Sequence, residues 1–149
     1  MKHYLEDFQV GQIFAGSTRV RVEAERTKSF AAEFDPQPFH LDENAARASV
    51  FGGLAASGWH TAAITMRLVV DSDLQPAGGI LGAGIDELNW PRPVRPGDEL
   101  RVESEILEVR PSRSRPDQGV VRVRNTTLNQ NGEAVQVFVG NLIVPRRPK

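Results

Sequence analysis

Gly52-Gly53-Leu54-Ala55-Ala56-Ser57-Gly58-Trp59-His60-Thr61-Ala62-Ala63-Ile64-Thr65-Met66-Arg67-Leu68-Val69-Val70 is the stretch that decides the fold. Small and apolar side chains fall on every side of a helical projection, as they do when a helix is enclosed rather than laid on a surface. At ~1.5 Å per residue such a helix would be about 27 Å long. It approaches spanning length, but Ser57, His60, Thr61, Thr65 and Arg67 are each costly in lipid, so a buried helix is expected and no membrane span. Beyond it the pattern changes to β-rich runs at Ile80 to Trp90, Glu99 to Arg110, Gly119 to Leu128 and Ala134 to Val144. Alternation is clearest at Leu100/Val102, Val121/Val123 and Val135/Val137/Val139. Pro96-Gly97-Asp98, the Pro111 to Asp117 loop and Asn129-Gln130-Asn131-Gly132 supply the turns between runs. Consecutive strands joined by tight turns make an antiparallel sheet. Curled round one apolar helix, that sheet would bury both faces of the helix, which predicts an α+β fold.

Upstream, a strand is expected around Gly11 to Val20. From Val22 to Phe34, the residues Thr27, Phe30, Ala31 and Phe34 follow helical spacing, and Pro36 forbids continuation, so a helix ends near Asp35. Asp42 is placed to cap a short helix through Ala48, with Glu43 in its first turn. Asp35 to Leu41 is then the connecting loop.

The chain has 149 residues, which suits one domain with one core. Its 40% hydrophobic and 25% charged residues are those of an ordinary globular protein. The 18 basic and 19 acidic side chains nearly cancel, so no net field attracts a nucleic-acid backbone or an anionic membrane. Zero cysteines exclude disulfides, thiolate metal sites and a cysteine nucleophile, and suit a reducing cytoplasm. Glu6 and Asp7 interrupt the place where an export signal needs its apolar run. The basic end, Arg146-Arg147-Pro148-Lys149, reads as a frayed tail. No metal site is expected, because His40 and His60 lie far apart in sequence and no clustered carboxylates complete a ligand set.

Three motifs occur in sequence: Phe30-Ala31-Ala32-Glu33-Phe34-Asp35-Pro36-Gln37-Pro38-Phe39-His40, then Phe51-Gly52-Gly53-Leu54-Ala55-Ala56-Ser57-Gly58-Trp59, then Pro93-Val94-Arg95-Pro96-Gly97-Asp98. With the layout above, they resemble the MaoC-like dehydratase family, the (R)-specific enoyl-CoA hydratases of the hot-dog fold. The resemblance runs from about Val22 to the C-terminus. The family's hydratase motif has an Asp and a His five positions apart with Asn-Pro between; here these fall on Asp35 and His40, with Gln37 in place of Asn and Pro38 retained. The family also often has His before the glycine that opens the central helix, and the alignment puts Phe51 there. The resemblance implies an acyl-CoA thioester substrate with no further cofactor, and a tunnel at a subunit boundary.

Hydration of an enoyl thioester needs a water deprotonated as it attacks the β-carbon, a proton for the α-carbon, and stabilisation of the enolate oxygen between them. A carboxylate and an imidazole on one loop stiffened by Pro36 and Pro38 can hydrogen-bond a single water. Asp35 is read as principal general base and His40 as the partner that orients the water and shuttles the proton. Free N–H groups at the start of the central helix suit the oxyanion, and alignment with the family places the donor at Gly52, beside Gly53. Ser57 and His60 share a helical face and are candidates to line the pocket or hold Asp35. The Trp90-Pro91-Arg92-Pro93-Val94-Arg95 segment borders the acyl-CoA tunnel in the resemblance. Arg92 and Arg95 are then candidates for coenzyme A phosphates, set against the plainer reading of solvated surface arginines.

Two other functions compete. A hot-dog acyl-CoA thioesterase would attack the carbonyl and release free thiol, and the Asp35/His40 spacing argues against it. A non-catalytic acyl-binding module would bind acyl-CoA without turnover. A sheet of about five strands leaves an open edge, so a homodimer with one continuous sheet is expected, and assemblies of dimers are compatible with it.

Overall fold

The computed structural model describes residues 2–149. After a single 3-10 turn at Leu5–Asp7, the elements run β1 (Ile13–Ala15), β2 (Val20–Arg21), α1 (Ala24–Phe34), α2 (Pro38–Leu41), α3 (Glu43–Arg47), α4 (Gly58–Val70), β3 (Gly82–Asn89), β4 (Glu99–Pro111), β5 (Gln118–Leu128) and β6 (Ala134–Pro145). The strands form one antiparallel sheet in the order β1-β4-β5-β6-β3, with β2 also on β4. The α+β reading holds, and the four long strands fall where the alternation placed them.

Alternation has the expected packing consequence. Leu100, Val102 and Ile106 of β4 and Val121 and Val123 of β5 turn inward, with Val135 and Val144 of β6, onto Leu68 and Val69 of α4. Leu68 is 2% exposed, and truncating so enclosed a leucine to alanine costs about 2–5 kcal/mol through lost transfer energy and the cavity left behind.

Four local expectations differ from the structure. The central helix begins at Gly58, so it has 13 residues and a length of ~20 Å. Residues 54–57 are instead drawn out, because their backbone is used by distant segments: the Ala55 N–H donates to Phe39 O and the Ala56 N–H to Val94 O. The helix is covered on one side only. Thr61, Thr65, Leu68 and Val69 are buried, while Trp59, Ala63, Met66 and Val70 form an open stripe at helical spacing. Asp35 to Leu41 is more than a loop, since Pro38 at the first helical position starts the single turn α2.

Strand pairing also departs from a simple meander. β3 does not pair with β4, its successor; it lies beyond β6 at the far edge. The connection from Trp90 to Asp98 therefore crosses from one side of the sheet to the other and packs on residues 51–58. The basic end is held as well: Arg146 Nε donates to Glu6 Oε2 at 3.0 Å and Arg147 Nη2 to Asp7 Oδ1 at 2.5 Å. The Arg147 N–H on Glu6 Oε1, and then the Arg146 guanidinium, hold the Glu6 carboxyl down at about 2.

Candidate active site

Asp35 follows the last residue of α1, where Pro36 stops the helix, and His40 stands in α2 five residues on. The short turn brings His40 Nε2 to 3.4 Å from Asp35 Oδ2, with the two side chains 8% and 21% exposed. The other face of the imidazole is committed: Nδ1 lies 2.6 Å from the carbonyl of Ala55. A carbonyl only accepts, so Nδ1 carries the proton, and in the neutral ring Nε2 presents its lone pair toward Asp35. In that form the lone pair of Nε2 and the carboxylate oxygen lie side by side, so a molecule resting against both can donate to each. Phe39 and Phe51, stacked at 5.1 Å, wall the imidazole on one side.

Ser57 fixes the carboxylate. It is fully buried, and its hydroxyl donates to Asp35 Oδ2 at 2.7 Å, the short contact expected of an O–H on a charged oxygen. Ser57 Oγ also caps α4 by accepting from the Trp59 N–H at 3.2 Å. One loop therefore holds both members of the pair, His40 through the Ala55 carbonyl and Asp35 through Ser57.

The oxyanion donor expected at Gly52 is not at a helix start. Gly52 sits in a turn at φ +64°, and its N–H already donates to Ser49 O at 3.0 Å. Gly53 is turned to Arg95, whose Nη1 donates to its carbonyl at 3.0 Å while Nη2 donates to Phe51 O. The helix opens at Gly58, whose N–H has no partner among the described residues and lies at the positive end of the helix dipole. The residue before that glycine is Ser57, so Phe51 is not the helix-opening position. Gly58 is a candidate that the sequence reading does not name; Ser57, a favoured cap residue immediately before it, is the available signal.

The other candidates scatter. His60 stacks flat on Phe30 at 4.6 Å, away from Asp35, with Nδ1 buried and unpaired; burial first, and then the charge of Arg26, push its pKa below the ordinary imidazole value. Trp90 lies against Gly58, and its Nε1–H donates to Gln136 Oε1 at 2.9 Å. Arg92 pairs with Glu133 at 3.2 Å on the surface. Arg95 is spent on the two loop carbonyls rather than free for a phosphate. An apolar cleft of ≈ 470 Å³ runs between α4 and strands β3 and β6 past Met66, Ile85 and Phe138, and is not lined by Asp35 or His40. Among the described residues no group of three or more His, Asp or Glu side chains is arranged to hold a metal ion, and no helix is long and apolar enough to cross a membrane.

The family model described as the MaoC like domain matches residues 7–129, which include the whole constellation. The chain belongs to the MaoC-like dehydratase family. A MaoC-like dehydratase from Rhodospirillum rubrum is 60% identical, superposes with a TM-score of 0.94, and is covered over 99% of both chains. The R-hydratase PhaJ1 from Pseudomonas aeruginosa is 26% identical with a TM-score of 0.72, over 97% of this chain and 86% of that one. YdeM of Bacillus subtilis is 35% identical over 140 residues, 94% of this chain and 96% of its own length. The two solved structures share the hot-dog fold of this chain, an antiparallel sheet packed on the buried face of a helix as on α4, and with the family model they support hydratase or dehydratase chemistry.

Proposed function

We propose that this protein adds water to a 2-enoyl-CoA thioester, or removes it from the 3-hydroxyacyl-CoA, as an (R)-specific hydratase. The observation that carries the reading is the pairing of Asp35 with His40 Nε2 across 3.4 Å, with Ser57 holding the carboxylate and the Ala55 carbonyl holding the far nitrogen of the imidazole. A water in that gap donates one O–H to each and keeps a lone pair for the β-carbon. As its oxygen attacks, one proton passes to the pair, the electrons of the double bond move into the thioester as an enolate, and the pair returns a proton to the α-carbon. Asp35 acts as the base and His40 orients the water and relays the proton. The Gly58 N–H receives the enolate oxygen; such a fixed donor is worth about 3–4 kcal/mol of barrier, or 10²–10³ in rate.

The acyl chain needs a pocket larger than one chain closes. The open stripe of α4 and the unpaired edge of β3, with Leu81 58% and Ile85 57% exposed, fit a second copy of this chain in a homodimer whose sheets join. The coenzyme A part of the substrate needs no further cofactor for this reaction. The absence of a cysteine and the near-neutral charge accord with a cytoplasmic enzyme.

The test is loss of the conjugated enoyl-thioester absorbance of crotonyl-CoA and of longer or branched analogues, beside Asp35→Asn and His40→Ala. Turnover by wild type and loss of at least about 10²-fold in either variant are expected. Variants that match wild type would refute the assignment. Release of free thiol would point to a thioesterase, and tight acyl-CoA binding without turnover to a binding module.

A further inference from the structure

Trp90 and Gln136 lie outside the reacting pair, yet they reach it through a defined chain of contacts. Gln136 is fully buried on β6, 0% exposed, and spends its amide on two partners. Its Oε1 accepts from Trp90 Nε1 at 2.9 Å, and its Nε2 donates to Thr65 Oγ1 at 3.0 Å. Thr65 belongs to α4. Its hydroxyl donates to the Thr61 carbonyl at 2.9 Å and, with its proton so used, accepts from Gln136 and from Thr127 at 2.6 Å. Every polar atom of this buried junction is satisfied, which makes it rigid. The Trp90 indole it anchors rests on Gly58: a Cβ built there would come within 2.5 Å of Trp90 Cε2. Trp59 meets the same indole edge-on at 5.5 Å.

The geometry points to Trp90 and Gln136 as positioning residues of the hydratase site: Gln136 holds the indole against Gly58 and so fixes where the free N–H of the α4 N-terminus is aimed. This inference rests on the hydratase reading above, since it concerns that site. Glycine is required at residue 58 because the indole occupies the space of any side chain. The brace is tied both to the sheet, through Gln136, and to α4 itself, through Thr65. Its loss therefore frees the helix start without touching Asp35, His40 or Ser57.

Gln136→Leu and Trp90→Phe are the variants, the second keeping an aromatic ring while removing the N–H. Each is assayed for kcat and KM on crotonyl-CoA, and the Gly58 amide is followed by NMR of glycine-¹⁵N-labelled protein. Ser72→Ala, which breaks buried hydrogen bonds at the other end of α4, serves as the control for simple destabilisation. The brace predicts that kcat falls about ten- to a hundredfold with KM changed far less, as expected of a misaimed group. It also predicts that the Gly58 resonance moves in both variants, while Ser72→Ala keeps its kcat and its Gly58 signal. A wild-type kcat in both variants, or an unmoved Gly58 resonance, would overturn the proposal. If wild type turns over no enoyl thioester, the hydratase reading fails, and the Gly58 resonance alone decides whether the brace exists.

Discussion

Replacing Ser57 with alanine isolates the contact that holds the Asp35 carboxylate. The substitution removes the 2.7 Å hydrogen bond to Asp35 Oδ2 and the cap on the Trp59 N–H, and leaves both members of the pair in place. A hydrogen bond to a charged group is worth about 1.5–3 kcal/mol. Losing an N-cap costs about 1 kcal/mol more. The folded state should lose about 2–4 kcal/mol, a sizeable part of the stability of a domain this size. If the orienting contact is felt fully in the transition state, kcat drops about ten- to a hundredfold at 1.4 kcal/mol per decade. Spectrophotometric turnover of crotonyl-CoA gives kcat and KM, and thermal unfolding gives the stability. Ser72→Ala supplies the comparison, because Ser72 is equally buried and makes two hydrogen bonds at the far end of the same helix. It should lower the melting temperature and spare kcat. A Ser57→Ala enzyme that keeps kcat within about twofold of wild type would refute the reasoning, because its carboxylate would then need no holding.

Three further outcomes are expected. Arg95→Met should lower stability by about 2 kcal/mol by freeing the carbonyls of Phe51 and Gly53, and should reduce kcat/KM equally for a coenzyme A thioester and for a phosphate-free pantetheine thioester; a defect confined to the coenzyme A substrate would show phosphate contact instead. His60 is held below its ordinary pKa by burial, so its unfolded form binds a proton more readily; its contribution is intact above about pH 6.5 and is lost as the pH falls through the lower folded value, and His60→Phe, which keeps the ring on Phe30, should flatten the fall in melting temperature between about pH 7.5 and pH 5. Ile85→Arg should convert a dimer into monomers in sedimentation, and a wild type that sediments as a monomer at micromolar concentration would remove the case for a joined sheet.

The parts of the fold that sequence reading captured are those set by near neighbours. Val121 and Val123 alternate because β5 has one inward face, and Pro36 stops α1 because proline carries no N–H. Asp42 caps α3 by accepting from the Asn44 N–H at 2.9 Å, a contact contained in three residues. The misread parts are set by partners far along the chain. Leu54, Ala55 and Ala56 have helical composition, yet their backbone is drawn straight by Phe39 and Val94. Arg95 is in sequence either a candidate for a phosphate or a solvated arginine, and neither reading foresees its guanidinium on carbonyls more than forty residues away. The junction of Trp90 with Gln136 joins residues 46 apart, and no local pattern announces it. Asp35 and His40 are adjacent in the fold because one short turn joins them, and the resemblance to the family's Asp and His five positions apart is what singles them out in the sequence.

The connection that crosses the sheet end limits how this protein can change. Residues 90–98 leave the outermost strand and, within nine positions, lean on the helix cap, supply a carbonyl to Ala56 and anchor the loop at Phe51 and Gly53. The rim of the sheet and the chemistry are thus linked by one short tether. Inserting even a single residue there would slide one set of contacts past the other, so tolerance to lengthening should be high in the 112–117 turn and close to nil here.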